Sequence, residues 1–192
     1  MITYLIKENA EFKQLLIEQN KQMIEMCKNA GNNNHTNSHN KSFNLQFFLN
    51  ETCKDALNIS DFVKSIKPSL EDLETTGRLG YVEGVSNIIL KNLNTLDSNM
   101  RPIHCTDIKR ETLYVRNNNQ WQNDETKEIT DNAIETLSNR NYIQMIRWKD
   151  ENPDYAESPE KYSNYLMLMK ELIGGRSDHE QDTNLKRIVK NI

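Results

Sequence analysis

The chain has 192 residues, a formal net charge of −4, and 36% hydrophobic against 27% charged residues. This length suits one domain with an appendage or two small domains, and the low hydrophobic content indicates that part of the chain lies outside any core. No segment is polybasic, so bulk charge disfavours strong non-specific binding to nucleic acid, although a small cationic site stays open.

The cysteines are Cys27, Cys53 and Cys105, an odd number without a Cys-x-x-Cys pair. This pattern favours reduced thiols over a disulfide framework. No stretch approaches the roughly 20 apolar residues that span a bilayer. Residues 1–7 also lack the basic region and apolar run of a signal peptide. We therefore expect an intracellular protein that is neither secreted nor bound to a membrane.

Residues 1–28 are predicted to form an amphipathic, coiled-coil oligomerisation helix. A seven-residue frame puts apolar side chains at six of its eight core positions, namely Ile2, Leu5, Phe12, Leu16, Met23 and Met26. Asn9 and Gln19 fill the other two positions, where polar layers cost stability but fix register and strand number. The alternative is a helix that packs on its own domain. We favour self-association because a segment without apolar residues follows directly.

That segment, residues 31–42, reads GNNNHTNSHNKS and cannot bury enough surface to offset the entropy of ordering. We therefore interpret residues 29–42 as an asparagine-rich linker. It separates the N-terminal helix from a globular domain over residues 43–192. For that domain the pattern predicts a mostly helical α+β fold with a small sheet.

The first half of the domain begins with alternating apolar residues over 43–49, which predict a strand. A short helical turn is expected over 51–57. A helix capped by Ser60 should then end before Pro68, and a second helical piece should end at Gly77. Residues 81–96 carry a further helical pattern through Val85, Ile89 and Leu93.

The second half begins with β-prone residues. Residues 111–123 predict a β-hairpin whose tip is formed by asparagines, since asparagine tolerates positive φ. Helical periodicity then runs from Thr126 to about Trp148. Ser158 and Pro159 start another helix that stops at Gly174, and a last short helix is expected from about Asp182.

Several long strings resemble an uncharacterised family of giant viruses, the nucleocytoplasmic large DNA viruses. They are FNLQFFLNETCKDALNISDFV, LEDLETTGRLGYVEGVSNIILKNLNTLD and RPIHCTDIKRETLYVRNNNQW, and the match extends from YLIKENAEFKQLLIEQNKQM to KRIVKNI. The resemblance implies a viral protein of the host cytoplasm or virus factory. Members usually carry two-cysteine, two-histidine zinc fingers N-terminal to this region. This chain has none, so it is either a finger-less paralogue or a fragment, and the resemblance transfers no reaction.

A local cationic excess lies in and before the predicted hairpin, at Arg101, Lys109, Arg110 and Arg116, with Tyr114 and Trp121 nearby. Basic residues beside aromatic ones can contact phosphates and stack on bases. Four charges make only a small electrostatic footprint, and the aromatic side chains can equally belong to a core. Nucleic-acid binding through 101–123 is therefore the alternative function.

Two groups of histidines and cysteines carry side chains that could bind a metal or act as a nucleophile. His35 and His39, with Cys27 upstream, have a metal-ligand spacing, but they lie in the predicted linker without a fixed carboxylate. His104 and Cys105 are adjacent, and neighbours on a strand point to opposite faces. We expect Cys105 to be buried and His104 to bond a backbone or carboxylate group.

Glycines and carboxylates offer no catalytic pattern either. Gly77, Gly80 and Gly84 lack the preceding strand and the Gly-Lys-Ser/Thr ending of a phosphate loop, so a helix cap and close helix packing explain them better. The carboxylates form runs typical of solvated faces, namely Glu71, Asp72 and Glu74, then Asp150, Glu151 and Asp154. The sequence therefore predicts no catalytic residue, cofactor or metal. It favours a non-catalytic assembly or adaptor protein that binds itself and a viral or host macromolecule, with DNA as the alternative partner.

Overall fold

The computed structural model describes residues 44–107 and 109–192 and has a mostly helical α+β fold with one small antiparallel sheet. The chain divides into two compact units between Phe48 and Leu49. The predicted oligomerisation helix (1–28) and linker (29–42) lie outside the described residues. The packing described below is that of residues 49–192.

Seven helices and three strands make up the described chain. The helices are α1 (Leu45–Phe47), α2 (Ile59–Ser65), α3 (Leu70–Leu79), α4 (Tyr81–Leu93), α5 (Glu128–Glu151), α6 (Pro159–Leu172) and α7 (Asp178–Asn191). The strands are β1 (Ile103–Asp107), β2 (Thr112–Asn117) and β3 (Gln120–Asn123). A π-helix over Phe48–Thr52 continues α1, and a 3-10 turn covers Ser98–Met100.

The predicted strand at 43–49 is wrong, because the described part of this segment is helical. The Asn44 side chain accepts a hydrogen bond from the Phe47 backbone N–H at 3.1 Å and so caps α1. Phe48 and Leu49 are both fully buried. Two consecutive buried residues break the alternation that a half-buried strand requires.

The caps of the next helices differ from those expected. Helix α2 begins after Asn58 and not at Ser60. Helix α3 begins with a capping box between Ser69 and Asp72 and ends at Gly80, which has a φ of 90°. Gly77 therefore lies inside α3 and does not cap it. Its missing side chain matters for packing, because a Cβ there would lie 2.5 Å from Leu168 on α6.

The sheet has the order β1-β2-β3, and its tip confirms the predicted asparagine turn. Asn118 and Asn119, with φ of 50° and 62°, connect β2 to β3 as the two-residue loop of a hairpin. The amide of Asn58 anchors this loop, since its Oδ1 accepts from the Asn119 N–H at 2.7 Å. The third strand is β1, which replaces the strand expected at 43–49.

Helix α5 begins two residues later than expected, at Glu128, because the carboxylate of Asp124, four residues earlier, caps it. Lys127 has a left-handed φ of 64°, which turns the chain into the helix. The buried carboxylate of Asp124 accepts from the N–H groups of Ile129 and Thr130 at 3.2 and 2.9 Å. A carboxylate in this place satisfies free amides and faces the positive end of the helix dipole.

Two hydrophobic cores hold residues 49–192 together, and α5 contributes to both. The larger core includes Val85, Ile89, Val115, Ile134 and Ile188. The smaller core consists of Leu73, Met145, Trp148, Leu168 and Leu172. Between its two apolar sections, α5 buries Asn141, whose Nδ2 donates to Thr76 Oγ1 at 3.0 Å.

Candidate protein-binding site

Two of the four cations predicted for nucleic-acid contact serve the fold. Arg116 on β2 donates through Nη1 to the backbone carbonyl of Cys53 at 2.9 Å and also to that of Lys54. Arg101 donates through Nε to the carbonyl of Leu93 at 3.1 Å. These guanidinium groups are already used as backbone donors, which leaves fewer donors for a phosphate.

The other two cations lie at the turn between β1 and β2. Lys109 is exposed, and its backbone N–H donates to the carboxylate of Asp107. Arg110 has an 84% exposed side chain, with Nε 3.8 Å from the same carboxylate. The structure therefore does not gather the four cations into one free set.

His104 and Trp121 lie on one face of the sheet, against the turn at Cys53. His104 Nε2 lies 3.6 Å from Cys53 Sγ, and the His104 and Trp121 rings are 5.3 Å apart. Trp121 Nε1 donates to the Cys53 carbonyl at 3.4 Å. Cys105 points to the opposite face, as expected, but it is exposed, so the prediction that it is buried is wrong.

The Cys53–His104 contact is chemically unlike a catalytic dyad. Burial raises the pKa of the Cys53 thiol to about 12, although the charge of Arg116 partly opposes this. Burial, together with the charge of Arg101, lowers the pKa of His104 to about 4. Both groups are neutral at pH 7, whereas a cysteine nucleophile needs its thiolate. The pair therefore packs as a weakly polar core contact.

Within 44–107 and 109–192, no three His, Cys, Asp or Glu side chains cluster closely enough to hold a metal ion. No helix of the same part of the chain has both the length and the apolar content to cross a membrane. His35, His39 and Cys27 lie outside the described residues, as do the six predicted oligomerisation residues.

Helices α5 and α6 each have one buried face and one exposed apolar stripe. Ser158 caps α6, and Pro159 occupies its first turn, where its missing N–H costs nothing. The buried faces meet at Trp148 and Leu168, which are at most 2% exposed. Gly77 lets α6 approach α3 closely at Leu168. Both helices pack against α3, which holds them as neighbours.

Between α5 and α6 lies the α5–α6 groove, which is lined by Tyr142, Ile143, Met145, Ile146, Lys149, Tyr165 and Met169. Ile143 and Ile146 on α5 are 55% and 63% exposed, and Leu166 on α6 is 50% exposed. Tyr162, which stacks on Tyr165, extends the apolar surface along α6. Single exposed apolar residues are ordinary, but a set on adjoining helices indicates an interaction surface.

Lys149 is the charged side chain that lines the α5–α6 groove. Its Nζ lies 4.9 Å from the centre of the Tyr165 ring and 5.6 Å from that of Tyr155. Such cation–π contacts hold a positive charge over an aromatic surface. The groove thus combines apolar and aromatic walls with one cation.

Sequence reasoning placed α5 and α6 correctly but missed this surface. Ile143, Ile146 and Leu166 supported the helical periodicity, and no partner was assigned to them. A signal was available in α6, where residues 165–169 read YLMLM. Five consecutive apolar residues exceed one buried face of a helix, so some of them must point elsewhere.

Comparisons with known proteins add no identification. No protein-family model, no curated protein and no solved structure matches this chain.

Proposed function

We propose that this chain is a non-catalytic assembly or adaptor protein that associates with itself and binds a macromolecular partner. The observation that supports this proposal is the α5–α6 groove, which the 63% exposed Ile146 lines, together with Leu166, which is half exposed next to the lining residue Tyr165. Self-association would use the apolar positions of residues 2–26. The assembled copies would then bind the macromolecular partner with an avidity greater than that of one copy.

The dimensions of the groove favour a protein partner over a small molecule. Its volume of about 140 Å³ is below the roughly 300–1,000 Å³ of ordinary ligand pockets. Its walls come from two neighbouring helices, a setting that suits the apolar face of another helix. The giant-virus resemblance extends the proposal: the macromolecule that the assembled protein binds would be viral or of the host, in the host cytoplasm or virus factory.

Light scattering after size-exclusion chromatography of the full chain tests the assembly. We expect a mass above that of the monomer, and a lower mass in the variant Phe12→Glu/Leu16→Glu, because carboxylates cannot be buried in an apolar seam without a large desolvation cost. The matched control is Lys7→Glu/Lys21→Glu, which changes the outer positions of the same heptads. A wild-type chain that is monomeric at all concentrations would refute self-association.

The alternative function, nucleic-acid binding through residues 101–123, would have to act mainly through Lys109 and Arg110. Both are exposed at the β1–β2 turn. Titration of labelled DNA and RNA with the full chain at low salt tests it. Salt-sensitive binding that weakens in Lys109→Ala/Arg110→Ala would favour this function, whereas no binding at low salt would remove it.

A further inference from the structure

The exposed stripe of α6 repeats with the spacing of a coiled-coil seam. Tyr162, Leu166 and the C-cap residue Ile173 are exposed and Met169 is partly buried, and in chain order the four follow one another at intervals of four, three and four residues. On α5, Tyr142 and Ile146 are four residues apart, and Lys149 follows after three. The same alternation of three and four places Ile2, Leu5, Phe12, Leu16, Met23 and Met26 on one side of the N-terminal segment.

We infer that the α5–α6 groove of one copy receives the apolar stripe of residues 2–26 of a second copy. This inference rests on the proposed self-association and names its receptor. A third helix laid between two others buries its apolar face against both, and the shared three-four spacing allows the side chains to interdigitate. The complex would be a helix-in-groove contact and not a free-standing coiled coil.

The width of the N-terminal apolar arc supports a groove over a simple two-helix seam. In the heptad frame, Ile6 and Leu15 occupy positions on opposite sides of the core positions. A two-stranded coiled coil needs only the narrow stripe of core positions, whereas a helix that packs on two neighbours needs a broader one. Met23 and Met26 add flexible side chains that adapt to an irregular surface.

The lengths of the N-terminal segment and of the linker allow residues 2–26 to reach the groove of a second copy. The stripe of α6 from Tyr162 to Ile173 covers about 17 Å. A helix over residues 2–26 would be about 37 Å long at 1.5 Å per residue. A linker of the length of residues 29–42 would span up to about 46 Å if extended, and roughly 20 Å on average if it behaved as a flexible chain. A segment tethered in this way can reach a neighbouring copy.

Reciprocal exchange would give a closed dimer. Each copy would donate one helix and accept one, so two identical contacts would be related by a twofold axis. No apolar groove or stripe would then be left open for further growth. The closed arrangement predicts a dimer rather than a filament.

A complementation experiment with full chains tests this inference. The groove variant carries Ile146→Glu/Leu166→Glu, and the stripe variant carries Phe12→Glu/Leu16→Glu. We expect each variant alone to be monomeric by light scattering, because each lacks one half of every contact. An equimolar mixture should form a heterodimer, since the stripe of the first variant meets the groove of the second. Loss of one of the two contacts should weaken this heterodimer at least tenfold relative to the wild-type dimer.

The control variant Thr136→Glu/Ser163→Glu places one carboxylate on each of the same helices at exposed positions outside the groove. It should associate like the wild type. Circular dichroism verifies that each variant is folded. If the groove variant is not, Ile146→Ser/Leu166→Ser replaces it, because serine removes the apolar contact without introducing a charge.

Each contrary result has a distinct meaning. A groove variant that associates like the wild type overturns the inference and leaves coiled-coil assembly standing. A stripe variant that still dimerises shows that groove faces pack on each other, which also overturns it. A monomeric wild type refutes both this inference and the proposed self-association.

Discussion

Arg116 is an example of a cation that the fold uses as a multiple hydrogen-bond donor. Its guanidinium connects β2 to the carbonyls of Cys53 and Lys54, which precede α2 in the chain. Trp121 donates to the same Cys53 carbonyl. The planar guanidinium can reach two acceptors at once, whereas a lysine ammonium on a flexible stem is a single point charge. The sequence shows the charge but not its acceptors.

Replacing Arg116 with lysine should therefore destabilise the protein. We expect a loss of about 1–3 kcal/mol in the free energy of unfolding, because the Lys54 carbonyl loses the Arg116 donor and the Cys53 carbonyl keeps only the longer bond from Trp121. Urea denaturation measures this loss. The control is Arg110→Lys, whose exposed side chain should contribute less than about 0.5 kcal/mol. Equal effects of the two substitutions would contradict the structural role of Arg116.

His104 should make stability fall in mildly acidic solution. Burial lowers the pKa of its imidazole from 6.5 to about 4, so the folded state binds fewer protons than the unfolded state between these values. The contribution of neutral His104 to the free energy of unfolding is complete above pH 6.5 and is lost as the pH falls towards 4. At about 1.4 kcal/mol per pKa unit, the loss is roughly 3 kcal/mol at most.

Unfolding in urea at pH 7.5 and pH 4.5 checks this dependence, with His104→Gln as the comparison. Asp131 acts in the opposite direction, since burial and the nearby carboxylate of Asp124 raise its pKa to about 6. Its ionised form destabilises the fold above pH 6, and protonation relieves this at lower pH. The difference between wild type and His104→Gln cancels the Asp131 contribution. An equal loss in both proteins would contradict the assignment to His104.

At the scale of elements, the contact between α3 and α4 depends on the absence of a side chain at Gly84. A Cβ at Gly84 would lie 2.5 Å from the Cα of Thr76, and backbone cannot move aside as a side chain can. Alanine at this position should lower the free energy of unfolding by about 1–2 kcal/mol, although alanine is the better helix former. Thermal or urea unfolding measures the change. Asn139→Ala, on the exposed face of α5, is the control and should be neutral or slightly stabilising; a stabilising Gly84→Ala would contradict the close helix contact.

Sequence reasoning succeeded for elements whose signals are local. The asparagine tip at 118–119, the break at Pro68 and the start of α6 at Ser158 and Pro159 all depend on neighbouring residues. It failed at 43–49, where the Asn44 cap and two consecutive buried residues outweighed four alternating positions. Contacts between distant residues, such as those of Arg116 with the carbonyls of Cys53 and Lys54, were not visible from spacing.

The site was predictable only in part, for a related physical reason. Periodicity identifies a helix and its apolar residues, but burial depends on how many neighbours the fold supplies. Helix α5 has partners on one side only, so Ile143 and Ile146 remain exposed although they fit the helical pattern. Arg101 and Arg116 fit a basic patch in the sequence, and the fold turns both towards backbone carbonyls.

At the scale of the whole molecule, α5 connects the two cores of residues 49–192, because it contributes side chains to both. Ile134 and Leu137 lie in the larger core, and Met145 and Trp148 lie in the smaller one. The stability of α5 comes mainly from its tertiary contacts. If one half of the helix lost its packing, the other half would therefore fray as well. We therefore expect both cores to unfold in a single transition, as most domains of this size do.

The two tryptophans test this cooperativity, because Trp148 reports the smaller core and Trp121 lies on the sheet beside the larger one. In Trp121→Phe, the fluorescence of Trp148 should follow the same urea transition as far-UV circular dichroism. In Trp148→Phe, the fluorescence of Trp121 should likewise coincide with circular dichroism, at a lower midpoint, because a buried aromatic contact is weakened. Comparing two probes within each variant removes the effect of the substitution itself. Separate transitions for the two probes in either variant would mean that α5 does not couple the two cores.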